Sequence, residues 1–147
     1  MNTSPDIKIV EILLVEDSPS DVLLTKRALT DAKMTNRLHV VQDGVEAMAF
    51  LHREPPHTNA PRPDLILLDL NLPKKSGTEV LMEIKTDEAL STIPVCILTT
   101  SQEEQDIIRS YKFHANCYIV KPVDFDAFAQ LVKALENFWF TIVTLPK

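Results

Sequence analysis

The sequence predicts an α/β protein built on a doubly wound, five-stranded parallel sheet, and two observations carry this prediction. Five short apolar runs rich in branched residues recur along the 147-residue chain, and continuous apolar runs are typical of strands buried on both faces of a parallel sheet. Each run is followed by a segment with helical periodicity, so the order is strand then helix, repeated five times, which requires crossover helices on the sheet. The five runs are Ile12–Val15, Leu38–Val41, Leu65–Leu68, Val95–Leu98 and Cys117–Val120.

The first two helices have recognisable starts. Ser18 followed by Pro19 offers an N-cap and a first-turn proline for the first helix,. Asp43 with Glu46 three residues later resembles a capping box at the start of the second helix,. Both signals come directly before apolar residues with helical spacing, which places each helix between two predicted strands.

The last three helices are predicted in the same way. Thr78 precedes the apolar positions of the third helix, and Ser101 with Glu104 forms a second box-like start for the fourth,. Asp124 leads into a fifth helix whose apolar residues recur at spacings of three and four,. The fifth strand–helix pair completes the sheet.

Composition limits the classes of function. At roughly 150 residues per domain the length allows one domain, and the content of 45% hydrophobic and 24% charged residues is that of a globular chain. The net charge of −6 argues against a protein that binds nucleic acid or an anionic membrane surface,. No apolar run reaches the length of a membrane span, and the N-terminus has no signal-peptide pattern. Cys96 and Cys117 lie in apolar runs, as buried reduced thiols do,. We therefore expect a cytoplasmic protein.

The glycine count excludes several nucleotide and hydrolase motifs. Gly44 and Gly77 are the only two glycines in the chain. The glycine-rich signatures of dinucleotide binding, of P-loop NTP hydrolysis and of the nucleophile elbow therefore cannot be written from this sequence. The four histidines also lack the spacing of the common zinc hydrolase motifs.

Two segments stand apart from the strand–helix pattern. The proline-rich stretch 52–63 lacks apolar periodicity and predicts an exposed, stiff loop, with its two histidines, His52 and His57, in solvent,. The C-terminal stretch 138–147 is strongly apolar, so we expect it to fold back on the domain or to cover a partner,.

The polar residues that follow the first, third, fourth and fifth apolar runs suggest a shared site. The carboxyl ends of parallel strands meet at one edge of an open sheet, where ligands bind. Clustered carboxylates favour a hard divalent cation, of which Mg²⁺ is the common cellular choice, while a hydroxyl and an ammonium group suit phosphoryl oxygens. The pattern predicts an Mg²⁺-dependent site that handles a phosphoryl group, with a carboxylate available as nucleophile. The residues concerned are Glu16, Asp17, Asp69, Thr99, Thr100 and Lys121.

Four motifs at these strand ends resemble one known family. VEDS at 15–18, LLDLNLPKKSG at 67–77, LTTS at 98–101 and YIVKP at 118–122 are similar to the receiver domain of the response regulators of two-component signalling. Each motif alone has little specificity, but all four at strand ends with this order and spacing form a specific signal. The resemblance implies a receiver domain over residues 8–137, with the flavodoxin-like strand order 2-1-3-4-5.

The resemblance also implies a role for each matching residue. Asp69 matches the aspartate that takes a phosphoryl group from a histidine kinase. Glu16 and Asp17 match the acidic pair that binds Mg²⁺, together with Asp69 and the backbone carbonyl of Asn71. Thr99 is similar to the switch hydroxyl, and Thr100 departs from the smaller residue of many receivers. The remaining matches are Lys121 for the phosphoryl-binding lysine, Pro122 after it, Tyr118 for the switch aromatic and Gly77 for the turn glycine.

A finer resemblance concerns the partner. The proline-rich insertion, the FHANCY stretch and the aromatic tail are similar to the small response regulators that partner cyanobacterial phytochromes. A phytochrome histidine kinase is then the expected partner, and the output is altered protein–protein binding rather than catalytic turnover. The resemblance also implies a homodimer in which the extension 138–147 takes part through Phe138, Trp139 and Phe140.

Three alternatives stay open at this point. A phosphatase of the haloacid dehalogenase type also uses a strand-end aspartate and Mg²⁺, but it usually has a second aspartate at the position of Asn71. A flavodoxin-type FMN carrier shares the topology, although Glu16 and Asp17 would repel the flavin phosphate. A degenerate receiver would bind partners without phosphorylation, against which the intact set of site residues argues.

Overall fold

The computed structural model describes residues 9–31, 35–99, 117–120, 130 and 133. They form a five-stranded sheet in the order β2-β1-β3-β4-β5, as predicted. The elements are β1 (Val10–Val15), α1 (Pro19–Thr30), β2 (Asn36–Val41), α2 (Gly44–Leu51), β3 (Leu65–Asp69), α3 (Gly77–Thr86), β4 (Val95–Thr99) and β5 (Cys117–Val120).

Every neighbouring pair of strands is parallel, so all five carboxyl ends lie at the same edge of the sheet. β1 pairs with β2 on one side and with β3 on the other, which makes the β1–β3 boundary the point where the strand order reverses. Val15 is opposite Leu68 in that pairing. The residues that follow β1 therefore lie next to the end of β3.

The core is formed on both faces of the sheet because successive strand residues point to opposite sides. Leu13 and Val15 belong to the cluster that α2 and α3 cover. Ile12 and Leu14 belong to the second cluster, which includes buried residues of α1. Burial on both faces explains why the strands are continuous apolar runs rather than alternating ones.

The observed N-caps confirm two of the predicted helix starts and correct a third. The Ser18 side chain accepts a hydrogen bond from the Asp21 N–H, with Pro19 at the first helical position. Asp43 caps α2. The cap of α3 is Ser76, which forms a reciprocal capping box with Glu79. The predicted start at Thr78 is therefore wrong by two residues, because the bonds of the capping box select Ser76.

The proline-rich loop 52–63 is anchored, which corrects the expectation that His57 lies in solvent. The His57 ring packs against Phe50 with a centroid separation of 5.4 Å, and its Nε2 lies 3.4 Å from Glu46 Oε2. At the other end of the loop, the Arg62 guanidinium donates to the Ala89 carbonyl and to the Thr92 hydroxyl. These contacts are polar or aromatic, so they give the loop no apolar periodicity from which the sequence could predict its anchoring.

Several predictions fall outside the described residues. They are the fourth helix, the fifth helix apart from the helical residues 130 and 133, Thr100, Lys121, Pro122 and the extension 138–147 with Phe138, Trp139 and Phe140. Among the residues that are described, no helix has both the length and the apolar character needed to cross a bilayer.

Candidate functional site

Three carboxylates meet where the strand order reverses. Glu16 and Asp17 directly follow β1, and Asp69 is the last residue of β3. Because β1 and β3 are hydrogen-bonded neighbours, one carboxylate oxygen from each of these residues lies within 4.8 Å of the others. The structure thus brings together the three acidic residues that the sequence predicts to share a site.

The three carboxylates differ in exposure. Glu16 is 0% exposed and Asp69 is 2% exposed, whereas Asp17 is exposed to solvent. Buried negative charges that lie this close repel one another, and their burial is costly unless a cation compensates them. Oxygen ligands of this number and charge suit Mg²⁺ or a cation of similar hardness. The exposed position of Asp17 marks the side from which a cation can enter.

Backbone N–H groups orient the two buried carboxylates. The Ser18 N–H donates to Glu16 Oε2 at 3.2 Å, and the Asn71 N–H donates to Asp69 Oδ1 at 3.1 Å. Both bonds span two residues and curl the chain around the carboxylate just after its strand ends. Sequence reasoning missed these donors, because any residue supplies a backbone N–H and no side-chain pattern indicates it.

Gly77 lies directly behind Asp69. It is the first residue of α3, and its N–H donates to the Leu70 carbonyl at 3.0 Å. A Cβ atom at position 77 would overlap the Asp69 carbonyl oxygen and would lie 2.5 Å from the Leu70 Cα. The predicted turn glycine is therefore needed for close approach of the backbone behind the site.

The hydroxyl predicted for phosphoryl binding lies one strand further along the sheet. Thr99 is the buried last residue of β4, and in the ladder Asp69 is opposite Leu98, so Thr99 extends one residue beyond Asp69. On the other side Thr99 is opposite Val120, the residue before Lys121. Half-buried Tyr118 packs against the α2–α3 side of the core.

Comparison with known proteins agrees with this geometry. Residues 12–133 match the response regulator receiver domain family. The response regulator Rcp1 of Synechocystis sp. strain PCC 6803 is 49% identical over 135 residues, which cover 92% of this chain and 92% of that protein. A receiver match of this length favours the receiver over the haloacid dehalogenase and flavodoxin alternatives.

Solved structures give the same result. The phosphorylated cyanobacterial phytochrome response regulator RcpA is similar with a TM-score of 0.79 and 49% identity, covering 95% of this chain and 100% of that one. The Mn²⁺-bound form of Rcp1 has a TM-score of 0.77 and 48% identity, with 94% and 99% covered. The bacteriophytochrome response regulator AtBRR has a TM-score of 0.78 and 43% identity, with 88% and 94% covered.

Proposed function

This chain belongs to the response regulator receiver domain family of two-component signalling, and from that premise we propose that it accepts a phosphoryl group from a histidine kinase on Asp69. The observation that carries the proposal is the cluster of Glu16, Asp17 and Asp69 at the switch point of the sheet. Asp69 is the member of this cluster that ends the central strand β3, with its carboxylate oriented by the Asn71 N–H.

The proposed metal is Mg²⁺, held by Glu16, Asp17, Asp69 and the backbone carbonyl of Asn71. The donor set fits the ion, because the three carboxylates supply hard oxygen ligands within 4.8 Å of one another,. A related protein, Rcp1, has been solved in an Mn²⁺-bound form. When bound, the cation offsets the negative charge that the carboxylates and the incoming phosphoryl oxygens bring together.

The proposed reaction is a phosphoryl transfer between side chains. An oxygen of the Asp69 carboxylate attacks the phosphorus of the kinase phosphohistidine, the new P–O bond forms, and the P–N bond to the histidine breaks. The histidine leaves with the electron pair of that bond. We assign to Lys121 a charge-assisted contact with the transferred phosphoryl group and to Thr99 a hydroxyl hydrogen bond to it.

The product acts as a switch rather than as a turnover intermediate. In the proposal the Thr99 hydroxyl moves toward the phosphoryl group and Tyr118 follows it, which changes the surface available to partners. Position 71 is an asparagine, so the carboxylate that would serve as general acid or base two residues after Asp69 in a haloacid dehalogenase is replaced by an amide. The amide argues against catalytic turnover of the haloacid dehalogenase type.

The proposed kinase is a phytochrome. Its support is the similarity to Rcp1 and to RcpA, a cyanobacterial phytochrome response regulator. Because these relatives are signalling proteins and the chain carries a net charge of −6, the proposal includes a cytoplasmic location and no nucleic-acid partner. It also includes a homodimer formed with the apolar extension 138–147, through Phe138, Trp139 and Phe140.

Phosphotransfer from a cyanobacterial phytochrome kinase tests the function. The kinase is first autophosphorylated with radiolabelled ATP, freed of nucleotide, and mixed with the wild-type chain or with Asp69→Asn in the presence of Mg²⁺. The proposal predicts rapid transfer of label from the kinase to the wild-type chain and no transfer to the variant. An unrelated histidine kinase serves as the matched control. Equal transfer from both kinases would contradict the phytochrome assignment.

Sedimentation tests the dimer separately. A chain that ends at Asn137 lacks the extension, so we expect a smaller dimer fraction at the same concentration. The same self-association in the full and shortened chains would contradict a role for the extension.

A further inference from the structure

The loop between β3 and α3, residues 70–76, contains a strained turn. The Lys75 N–H donates to the Pro73 carbonyl at 2.8 Å, and the residue between them, Lys74, has φ 68°. This combination is a γ-turn of the rare kind whose central residue has positive φ. A lysine keeps such a conformation only where the surrounding structure holds it.

The first residue of α2 provides one support. A Cβ atom at Gly44 would overlap the Lys75 carbonyl oxygen and would lie 2.9 Å from the Lys75 carbonyl carbon. Gly44 is buried and its φ is not positive. Glycine is thus required at position 44 to let the loop pack against the helix, and not to permit an unusual backbone conformation.

An ion pair provides the second support. Lys74 Nζ lies 3.5 Å from Asp43 Oδ2, and the other oxygen of the same carboxylate accepts the Glu46 N–H at 2.7 Å. The cap of α2 therefore holds the strained residue of the loop with a side chain that is itself fixed. Asp43 is only partly exposed, whereas the Lys74 side chain is 67% exposed, so the ion pair is of modest strength,.

The opposite end of the same loop lies against the acidic cluster. Gly77 packs behind Asp69 and Leu70, and Asn71 donates its N–H to the Asp69 carboxylate. The only two glycines in the chain therefore adjoin this one loop, Gly44 on its outer side and Gly77 at its end. The loop is a fixed link between the start of α2 and the site.

We propose that Asp43, Gly44 and Lys74 are positioning residues for the metal site. They hold residues 70–76 so that the backbone carbonyl of Asn71 is available to the cation and its N–H stays on Asp69. This inference rests on the proposed function, because it assigns a role in metal binding to residues that are not metal ligands.

The decisive variant is Lys74→Met, measured by titration of the full chain with Mn²⁺ and detection of free Mn²⁺ by electron paramagnetic resonance. Removal of a positive charge near a cation site should tighten metal binding if Coulomb repulsion between the lysine and the metal ion alone acts. Loss of the ion pair to Asp43 should instead weaken metal binding, by roughly twofold to fivefold, as for an ion pair with one exposed partner. The two mechanisms thus predict opposite signs.

Lys75→Met is the matched control. It removes the same charge from the next residue of the loop, but Lys75 pairs with Glu83 of α3 and not with Asp43. We expect its Mn²⁺ affinity to equal or exceed that of the wild-type chain. The comparison separates the ion pair from a general effect of losing a loop lysine.

Gly44→Ala tests the packing contact. Alanine is favoured over glycine in a helix, so a weaker metal site in this variant comes from the overlap with Lys75 and not from the helix backbone. We expect Mn²⁺ affinity to fall by roughly tenfold here, with Val45→Ala, an exposed neighbour on α2, unchanged. Circular dichroism without metal shows that each variant is folded. If Gly44→Ala fails to fold, Lys74→Met decides.

The outcomes are distinct for the two proposals. A wild-type chain that binds no Mn²⁺ overturns the proposed function and this inference with it. A wild-type chain that binds Mn²⁺, beside a folded Lys74→Met or Gly44→Ala that binds it equally well or more tightly, overturns the inference alone. Weaker binding in both variants, with neither control binding more weakly than the wild-type chain, supports it.

Discussion

The backbone carbonyl of Asp69 packs against Gly77 so closely that a Cβ atom at position 77 would overlap its oxygen. The residue proposed to accept the phosphoryl group and the start of α3 thus share one compact backbone contact. This contact joins the two ends of the loop that contains Asn71. Disruption of the contact should therefore affect both the stability of the fold and the geometry of the site.

We expect Gly77→Ala to lower the free energy of unfolding by about 1–3 kcal/mol, because an added methyl group in a packed region forces the backbone to move. The added methyl group displaces the backbone of Asp69 and Leu70, so phosphorylation of Asp69 should slow as well. Urea denaturation measures the first effect, and the rate of adduct formation with acetyl phosphate measures the second. Thr78→Ala, one residue later on α3, is the control. A Gly77→Ala chain as stable as the control would contradict the close approach.

Asp17→Asn tests the metal site through stability. A ligand at ten times its Kd stabilises a protein by about 1.4 kcal/mol, so Mg²⁺ should raise the Tm of the wild-type chain. The variant should lose this rise, because Asp17 is one of three clustered ligands. Without metal its Tm should equal or exceed the wild-type value, since one of three mutually repelling charges is gone.

Asp31→Asn provides the control for that measurement. Asp31 is exposed and follows the opposite end of α1, so the Mg²⁺-dependent rise should persist. A rise of the same size in Asp17→Asn would contradict the assignment of Asp17 as a ligand.

His57→Ala tests the anchoring of the proline-rich loop. The packed Phe50–His57 pair should contribute about 0.5–1.5 kcal/mol beyond its buried area, and limited proteolysis within 52–63 should accelerate in the variant. His52 is more exposed, and its Nε2 lies 3.9 Å from Asp87 Oδ2, a surface pair of little energetic value. Equal effects of His52→Ala and His57→Ala would contradict a specific anchor.

Lys85 provides a prediction for pH dependence. Burial lowers the pKa of the Lys85 ammonium below its usual 10.5, so the unfolded chain binds more protons between the lowered pKa and 10.5. At neutral pH the buried charge lowers the free energy of unfolding. This loss is regained as the pH rises through this window, because the folded chain releases its proton first. Relative to Lys85→Met, the wild-type chain should become more stable between about pH 8 and the unfolded pKa.

Urea unfolding of the wild-type chain and of Lys85→Met, at the lower and at the upper end of this pH range, measures the change in their stability difference. Lys26→Met, which removes an exposed lysine of α1, shows how the loss of a surface charge behaves over the same range. A wild-type advantage over Lys85→Met that stays constant or falls with pH would contradict the burial effect.

The sequence predicts the strands well because apolar runs buried on both faces leave few alternatives. Strand-end positions then follow directly, and they place Glu16, Asp17 and Asp69 together before any coordinates are known. The start of α3 is harder to predict because Ser76 and Thr78 both carry a hydroxyl, and only the bonds between Ser76 and Glu79 select the earlier residue.

Other features could not be predicted because they depend on contacts between distant segments. The close approach of Gly44 to Lys75 brings the first residue of α2 against the β3–α3 loop, 31 positions away, and no local pattern indicates it. The packing of His57 on Phe50 likewise depends on how the proline-rich loop folds back over α2. Backbone donors such as the Asn71 N–H have no side-chain signature at all.

Intact mass after incubation with acetyl phosphate and Mg²⁺ tests the central claim most directly. Asp69 and Asp64 flank the same strand, Asp69 ending β3 and Asp64 preceding it with its Oδ2 on the Glu11 N–H at 2.8 Å. We predict a single phosphoryl adduct on the wild-type chain and on Asp64→Asn, and none on Asp69→Asn or after chelation of Mg²⁺. An adduct that survives in Asp69→Asn would contradict the assignment. The absence of any adduct on the wild-type chain, from acetyl phosphate and from a phosphorylated histidine kinase alike, would instead identify a receiver that binds partners without phosphorylation.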